Sequence, residues 1–378
     1  MIDYESLRII WWVLIGVLLI GFAVTDGFDL GVGALLTLVG RTDQERRVMI
    51  NTIGPHWDGN QVWFITAGGA IFAAWPLIYA AAFSGFYVAL ALTLIALWMR
   101  PLGFDYRSKL TNPTWRKSWD WALFAGGLIP ALIFGVAFGN LFLGVPFEYD
   151  NMLKPTYSGN FFGLLTPFAL LSGLVSVAML LNHGSVWLQL KTDGKLQNRA
   201  RSVSVVLSLL TAALFALAGI YLAVGVDGYV ITSEIDTFAT SNPMTKEVAI
   251  ESGAWLQNYV KYPWMIIAPL LGIGGALACA ALSKANRSGF AFVASALTIA
   301  GIILTAGFSM FPFLMPSSTV PGASLTLWDA SSSFLTLKVM FVVACILVPV
   351  VLSYTAYGFY VMHGRIKEAD LNQSHTIY

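Results

Sequence analysis

Long apolar stretches with few charges run through this sequence of 378 residues. A helix that crosses a bilayer needs about 20 predominantly apolar residues, and nine stretches meet this need. Only 11% of the residues are charged, compared with roughly a quarter in soluble domains. The sequence therefore predicts an all-α polytopic membrane protein, a single integral membrane domain over residues 1–378. The predicted spans cover approximately residues 9–33, 52–73, 78–99, 119–142, 161–183, 203–224, 262–282, 290–310 and 337–360.

The number of spans follows from the distribution of Lys and Arg, because cytoplasmic loops carry an excess of these residues. The second span begins with the polar run PHWDGNQ at 55–61, and a hydropathy scan that omits it gives eight spans. With nine spans, 16 of the 21 basic residues fall on one side, whereas eight spans would divide the basic clusters between both sides. We therefore expect about nine transmembrane helices, with the N-terminus periplasmic and the C-terminus cytoplasmic. The 16 residues are Arg41, Arg46, Arg47, Arg100, Arg107, Lys109, Arg116, Lys117, Lys191, Lys195, Arg199, Arg201, Lys284, Arg287, Arg365 and Lys367.

The net charge and the cysteines give no indication of nucleic acid, a disulfide or a metal. The net charge of +1 gives no indication of nucleic-acid binding. Cys279 and Cys345 both lie inside apolar runs, where we expect them to pack as small hydrophobic residues. Asp3 and Glu5 precede Arg8, so the first apolar run lacks the basic start of a signal peptide. We expect this run to be a retained helix.

Three carboxylates stand out in the predicted spans, where burial is costly. An acidic residue at the centre of a membrane helix costs about 2.5–3.5 kcal/mol, so it is a functional candidate by default. Asp26 and Asp29 lie late in the first span, and Asp58 lies early in the second. The predicted topology places all three in the cytoplasmic half. Asp26 and Asp29 are three residues apart, so they can face the same cavity.

The residues around Asp58 allow two interpretations. His56, Trp57, Asn60 and Gln61 surround the carboxylate, and the imidazole and amides can hold a chain of waters that passes protons. A proton or ion path that opens to the cytoplasm is one interpretation. The other is a polar helix start that local side chains cap at the membrane surface. The shared placement of the acids in one half favours the path.

The remaining polar residues favour structural roles. Arg100 and Asp105, at the inner end of the third span, fit a snorkelling arginine beside its counter-ion. Asn140, Asn182 and His183 lie near predicted span ends, where we expect interfacial positions.

Haem or metal chemistry has little support within this chain. Of the four histidines, His56, His183, His363 and His375, only His56 lies at a plausible depth for haem ligation. No metal-binding sequence motif is present. We therefore expect no metal site and no complete catalytic apparatus in this chain.

Several long motifs resemble one known family, subunit II of cytochrome bd-type quinol oxidases. The resemblance covers essentially the whole chain, from the N-terminal segment to the tail GRIKEADLNQSHTIY. It is least distinct over 226–261. The motifs are IDYESLRIIWWVLIGVLLIGFAVTDGFDLGVG, PHWDGNQVWFITAGGAIFAAWP at 55–76, YAAAFSGFYVALAL at 79–92, RPLGFDYRSK at 100–109, FGVAFGN at 134–140, FPFLMPSS and SLTLWDASSS.

The resemblance implies a complex in the bacterial inner membrane that oxidises ubiquinol and reduces oxygen to water. Subunit I of such oxidases carries two b-type haems, one d-type haem and the quinol site, and one or two small single-helix subunits accompany it. Some members of the family hold a structural quinone in subunit II. The complex takes protons from the cytoplasm and so builds a gradient without pumping. The resemblance thus implies subunit I, small subunits, lipid and quinone as partners.

The resemblance also implies roles for particular residues. The proton path attributed to the family falls on Asp26, Asp29 and Asp58, with His56 beside them in the sequence. A second proposed path passes near Asp105 and the C-terminal Tyr378. Trp57, Asn60 and Arg100 are expected to be structural or interface residues. Two alternatives remain open: a proton-coupled secondary transporter, and a scaffold that takes no part in proton transfer.

Overall fold

The structure is a computed structural model, and it describes residues 2–367. Helices dominate it, and short strands occur only in the connections of the described part. The α-helices, in chain order, are α1 (Tyr4–Val39), α2 (Asp43–Ile53), α3 (Trp57–Ala74), α4 (Pro76–Gly85), α5 (Tyr87–Tyr106), α6 (Pro113–Leu143), α7 (Pro167–Lys191), α8 (Gly194–Gly225), α9 (Gln257–Lys261), α10 (Ile267–Lys284), α11 (Ser288–Met310) and α12 (Phe334–Val361).

Eight helices of residues 2–367 are long and apolar enough to cross a membrane, and the bent pair α3–α4 raises the number to nine. Counted as one span, this pair crosses through α3, whose 18 residues are about 27 Å long. It runs antiparallel to α1: Asn60 contacts Asp29 near one end, and Trp63 packs on Gly21 further along. At the other end, Ala74 lies in the same apolar cluster as Leu7. Helix α3 therefore lies alongside α1 from Asp29 towards Leu7.

Two predicted span boundaries are wrong at this point in the chain. The second span was expected from residue 52, but 43–53 form the separate helix α2, and α3 begins at Trp57. The third span was expected from residue 78, but α4 is bent by 120° from α3, and the crossing helix α5 begins only at Tyr87. Pro76 opens α4 after the non-helical Trp75. Proline is tolerated at a helix start but disrupts a helix interior, so the chain turns here.

One end of the bundle, which we call the basic end, is held together by ion pairs. Arg107 and Asp120 are both buried and pair with each other, and Asp120 also pairs with Arg46 of α2. Asp43 of α2 pairs with Arg107 and with Arg116. These contacts fix α2 across the ends of α5 and α6. The basic residues that were predicted to share one side of the membrane thus lie at one end of the bundle.

The opposite end, which we call the strand end, carries three antiparallel two-stranded sheets. Arg8 of α1 is fully buried there and donates hydrogen bonds to the carbonyl oxygens of Thr237 and Ala239 and to Ser331. The long connection after α8 is therefore fastened to α1. The sheets pair β1 (Phe147–Tyr149) with β2 (Pro155–Tyr157), β3 (Asp227–Ile231) with β4 (Val248–Ser252), and β5 (Phe313–Met315) with β6 (Leu325–Thr326).

Helix α1 lies at the centre of the bundle because glycines let its neighbours approach closely. Gly31 packs against Gly184 of α7, and Gly33 packs against Gly127 of α6. Small residues allow such close approaches between membrane helices. Helix α12 is the contrasting case, since Leu337 is its only fully buried side chain among those described. The acidic motif at 26–29 therefore lies in the closely packed, buried part of α1.

Candidate functional site

A buried charged cluster joins three helices near the basic end, and we call its four residues the Asp26 cluster. Arg100 of α5 donates to both oxygens of Asp26 on α1, with Nη1 at 2.9 Å from Oδ2 and Nη2 at 2.6 Å from Oδ1. The same Nη2 lies 3.8 Å from Asp29 Oδ2. Asn60 of α3 donates from Nδ2 to that Asp29 oxygen at 2.8 Å. The cluster therefore consists of Asp26, Asp29, Asn60 and Arg100.

Local helix geometry brings these side chains together. Asp26 and Asp29 share one face of α1 because residues three apart are neighbours on a helix. Asn60 lies in the first turn of α3, so the cluster lies about 5 Å inside that end of the helix. Gly126 of α6 has no side chain where Arg100 Cγ passes, and a Cβ there would lie 3.1 Å from that atom. The glycine in α6 therefore leaves space for the side chain of Arg100.

The cluster is sealed within this chain. Asp26, Asp29 and Arg100 are 0%, 1% and 2% exposed, and Asn60 is 2% exposed. The second Asp29 oxygen, Oδ1, is buried and has no hydrogen-bond partner in the described part of the chain. Buried polar atoms are normally paired. An unpaired carboxylate oxygen therefore marks this position as chemically unusual.

Asp58 and Trp57 lie outside the cluster. Asp58 is in the first turn of α3 and its side chain is exposed. Asn60 follows two positions later, about 200° further around the helix, which is why Asn60 and not Asp58 faces Asp29. Trp57 is partly buried, with its ring 5.6 Å from that of Phe104. The structure thus places the Asp58 carboxylate on the surface of this chain, beside the cluster in sequence but pointing elsewhere.

His56 also lies apart from the cluster, in an aromatic setting. Its ring stacks on Phe359 of α12 with centroids 4.5 Å apart and meets Trp187 of α7 edge to face. His56 precedes the first residue of α3 and is 8% exposed. Burial, together with the charge of Lys191, lowers the pKa of His56 to about 4. The imidazole is therefore neutral at cytoplasmic pH.

The expected pairing of Arg100 with Asp105 is wrong. Asp105 is exposed, whereas Arg100 is buried and bound to Asp26. Five positions separate the two along α5, which is about 140° around the helix, so they face different directions. Tyr378, expected on the same second path, lies outside the described residues 2–367. The structure therefore gives no contact for this path.

His183 and Asn182 are interior residues, and the interfacial positions expected for them are wrong. The His183 ring donates from Nε2 to the Val24 carbonyl oxygen at 2.9 Å, and its Nδ1 lies 2.7 Å from the Ser295 hydroxyl. The side-chain amide oxygen Oδ1 of Asn182 accepts hydrogen bonds from the hydroxyl groups of Ser204 and Ser208 of α8. The predicted span ended at 183, but α7 continues for eight residues to Lys191. The apolar residues after 183 were the signal for this extension.

The fold and the cluster together define a multi-pass membrane protein with a buried ion pair between three of its helices. Residues 7–362 match the family described as cytochrome bd terminal oxidase subunit II. The chain belongs to this family, and it is a multi-pass protein of the inner membrane.

Individual relatives extend over the full chain. It is 58% identical to a probable cytochrome oxidase subunit 2 of Haemophilus influenzae over 100% of both chains. It is 56% identical to the cytochrome bd-I ubiquinol oxidase subunit 2 of Escherichia coli K12, again over 100% of both chains. The solved structure of bd oxidase from Geobacillus thermodenitrificans contains a chain with a TM-score of 0.68 and 16% identity, covering 94% of this chain and 99% of that one. At this identity the solved structure supports the fold.

Proposed function

We propose that this chain acts as subunit II of a terminal quinol oxidase, which oxidises quinol and reduces oxygen to water. The full-length identity to a ubiquinol oxidase subunit supports this role and does not favour a secondary transporter. We place subunit I beside it as the partner that carries two b-type haems, one d-type haem and the quinol site. One or two small single-helix subunits and ubiquinone complete the proposed complex, and a quinone bound structurally in this chain is part of the proposal.

The histidines of the described residues do not suit haem ligation. Both ring nitrogens of His183 lie at hydrogen-bond distance from protein atoms, and the ring is stacked on Phe292. His56 is packed face-on against Phe359. Residues 2–367 also contain no group of three or more His, Cys, Asp and Glu side chains that could hold a metal ion. We therefore assign the haems of the proposed complex to subunit I.

The contribution that we propose for this chain is a path for protons from the basic end. Oxygen reduction consumes protons at a buried site, and charges cross bare hydrocarbon only at high cost. The single observation that carries the proposal is the Asp26 cluster, where a buried carboxylate oxygen of Asp29 is unpaired. Asp58 is exposed two residues before Asn60, which contacts Asp29. In the proposed path, Asp58 collects protons at the surface and passes them through water to Asp29, whose carboxyl group Asn60 orients by its hydrogen bond.

The competing interpretation is a scaffold. A carboxylate in the first turn of a helix interacts favourably with the helix dipole, and this alone can account for Asp58. The charged cluster would then only hold α1 against α5. The two interpretations differ in one respect: a path needs a titratable group at position 58, whereas a helix start needs only a hydrogen-bonding one.

Asp58→Asn in the assembled complex tests the path. The amide keeps the volume and hydrogen bonding of the carboxylate but cannot carry a proton. We expect a several-fold lower turnover of quinol and oxygen, with haem content and apparent affinity for quinol unchanged. Asp58→Glu should restore turnover, because it restores the carboxylate.

A matched control removes a different carboxylate near the same end. Asp193, the N-cap of α8, makes no side-chain capping bond, and Asp193→Asn should keep the parental rate. Parental turnover of Asp58→Asn with full haem would exclude Asp58 from proton supply. Loss of haem in Asp58→Asn would favour the scaffold.

A further inference from the structure

The charges of the Asp26 cluster do not balance if both carboxyl groups are ionised. Two carboxylates face one guanidinium, and the amide of Asn60 is neutral. The remaining negative charge has no solvent to stabilise it, since all four side chains are at most 2% exposed within the isolated chain. A partner subunit or a lipid therefore cannot reach it either. An isolated buried charge is so costly that such a group is normally neutralised.

The contacts distinguish the two carboxyl groups. Asp26 uses both oxygens to accept hydrogen bonds from Arg100, so it is the ionised partner of the arginine. Asp29 Oδ2 accepts from Asn60 and lies 3.8 Å from the arginine. Of the four oxygens of these two carboxyl groups, Asp29 Oδ1 is the one that is buried without a hydrogen-bond partner among the described residues. One positive charge is missing from the cluster, and Asp29 Oδ1 is the atom that can take it.

We propose that Asp29 holds a resident proton on Oδ1 and is the titrating group of the cluster, while Asp26 and Arg100 form a fixed ion pair. The proposal deepens the proton path described above and names its innermost carrier in this chain. Protonation of Oδ1 leaves Oδ2 as the acceptor for Asn60 and makes the cluster electrically neutral. The charged and titratable groups of the cluster are Asp26 on α1 and Arg100 on α5, and α3 contributes the neutral Asn60. His183 lies on another side of α1, against Val24 and Phe28.

The position of Arg100 shows how the proton can leave and return. The O–H bond of Asp29 breaks, the proton moves to a water or base, and Asp29 becomes a carboxylate. Arg100 Nη2 lies between the two acids, 2.6 Å from Asp26 and 3.8 Å from Asp29. A small shift of the guanidinium lets it bridge both carboxylates and stabilise the new charge. Return of a proton to Oδ1 restores the fixed pair.

Infrared spectroscopy of the purified complex tests the resident proton without measuring turnover. A protonated carboxylic acid has a carbonyl stretch that an ionised carboxylate lacks, and this band shifts in D2O. We expect one such band to disappear in Asp29→Asn at neutral pH, with haem content unchanged, because an amide resembles a neutral acid. Asp58→Asn is the matched control and should keep the band, because Asp58 is exposed and lies outside the cluster.

A second variant keeps the test decisive if Asp29→Asn fails to assemble. Asp26→Asn leaves one carboxyl group facing Arg100, so Asp29 should ionise and its band should disappear while its side chain remains. Retention of the full band in either variant would overturn the proposal. So would an absent band in the parental complex together with thermal stability that rises in NaCl relative to choline chloride, since a metal cation would then balance the charge. A normal rate in Asp58→Asn would defeat the proposed entry point but leave this result intact.

Discussion

An arginine buried in a membrane helix needs oxygen atoms of the protein as partners for its charge, since water cannot reach it. Arg100 finds these partners in Asp26, 74 residues earlier in the chain. Truncating one member of a buried ion pair usually costs about 3–5 kcal/mol, because the other charge is left unpaired. The pair therefore links α1 to α5 strongly. In the mechanism that we propose, Asp29 changes its protonation state beside this pair without releasing the helices.

His56 gives a second prediction at the residue scale, because its pKa of about 4 lies below the ordinary value of 6.5. Neutral His56 is favoured in the folded protein, so its effect on stability is constant above pH 6.5. As the pH falls from 6.5 towards 4, the unfolded chain binds the proton more readily, and folding loses up to about 3 kcal/mol. His56→Phe keeps the ring stack and should reduce the acid sensitivity of the melting temperature. Melting curves of the complex between pH 4 and 7 measure this effect.

A control variant of another histidine and the haem spectrum complete the test of His56. His363 is exposed at the end of α12, and His363→Phe should leave the acid sensitivity unchanged. His56→Phe and His56→Ala should both keep every haem band of the reduced spectrum. Clean loss of one haem species in either variant would make His56 a ligand and contradict the packing role.

The two acids of the cluster could be predicted from sequence, but their partner could not. Asp26 and Asp29 stand out because a carboxylate in an apolar run is costly. Nothing local indicates that Arg100 reaches them, since the contact depends on how α5 packs against α1. Asp105 is the acid nearest to Arg100 in sequence, and we expected it to be the partner of the arginine. This was wrong because five positions on a helix correspond to about 140°, so the two side chains face different directions. Asn60 was expected to be a structural or interface residue, and its contact with Asp29 appears only when α3 is placed beside α1.

At the scale of helices, the breaks and ends of helices also depend on packing and were predicted less well than the spans themselves. The apolar content of 78–99 predicted a span, but Pro76 and the break after Gly85 divide this region into α4 and α5. Apolar runs fix which segments lie in the bilayer, whereas turns within such runs depend on packing. The glycines of α1 show the packing directly, because a Cβ on Gly31 would lie 2.2 Å from the Leu180 carbonyl oxygen and 2.9 Å from Gly184 Cα.

Gly31→Ala should therefore separate α1 from α7. The contacted atoms are backbone and cannot move aside, so we expect a loss of at least about 1–3 kcal/mol of stability and reduced haem retention in the complex. Gly16→Ala on the same helix is the matched control, since a Cβ there meets nothing within 4 Å. Thermal unfolding of both variants in detergent gives the comparison. Equal melting temperatures for the two would show that this close approach does not exist in the complex.

At the scale of the whole molecule, the basic residues lie at one end of the bundle, as the alternation of the predicted spans requires. Ion pairs at the basic end join α2 to the ends of α5, α6 and α8, through residues that the sequence grouped on one side. The strands and the buried Arg8 lie at the other end. With α3 counted as a crossing helix, an odd number of crossings separates the two termini. The orientation relative to the membrane is a separate expectation, since it depends on which side carries the excess of Lys and Arg.

Cysteine labelling in intact cells tests that orientation. Met152 is 89% exposed in the turn between β1 and β2, and Lys195 is exposed at the start of α8 at the basic end. In a Cys345→Ser background, which removes the exposed native cysteine, Met152→Cys should react with a membrane-impermeant maleimide once the outer membrane is opened. Lys195→Cys should react only after the inner membrane is permeabilised, because the positive-inside rule places the basic end in the cytoplasm. The reverse pattern would invert the topology and would place the proposed proton entry at Asp58 on the periplasmic side, where uptake could not build the gradient.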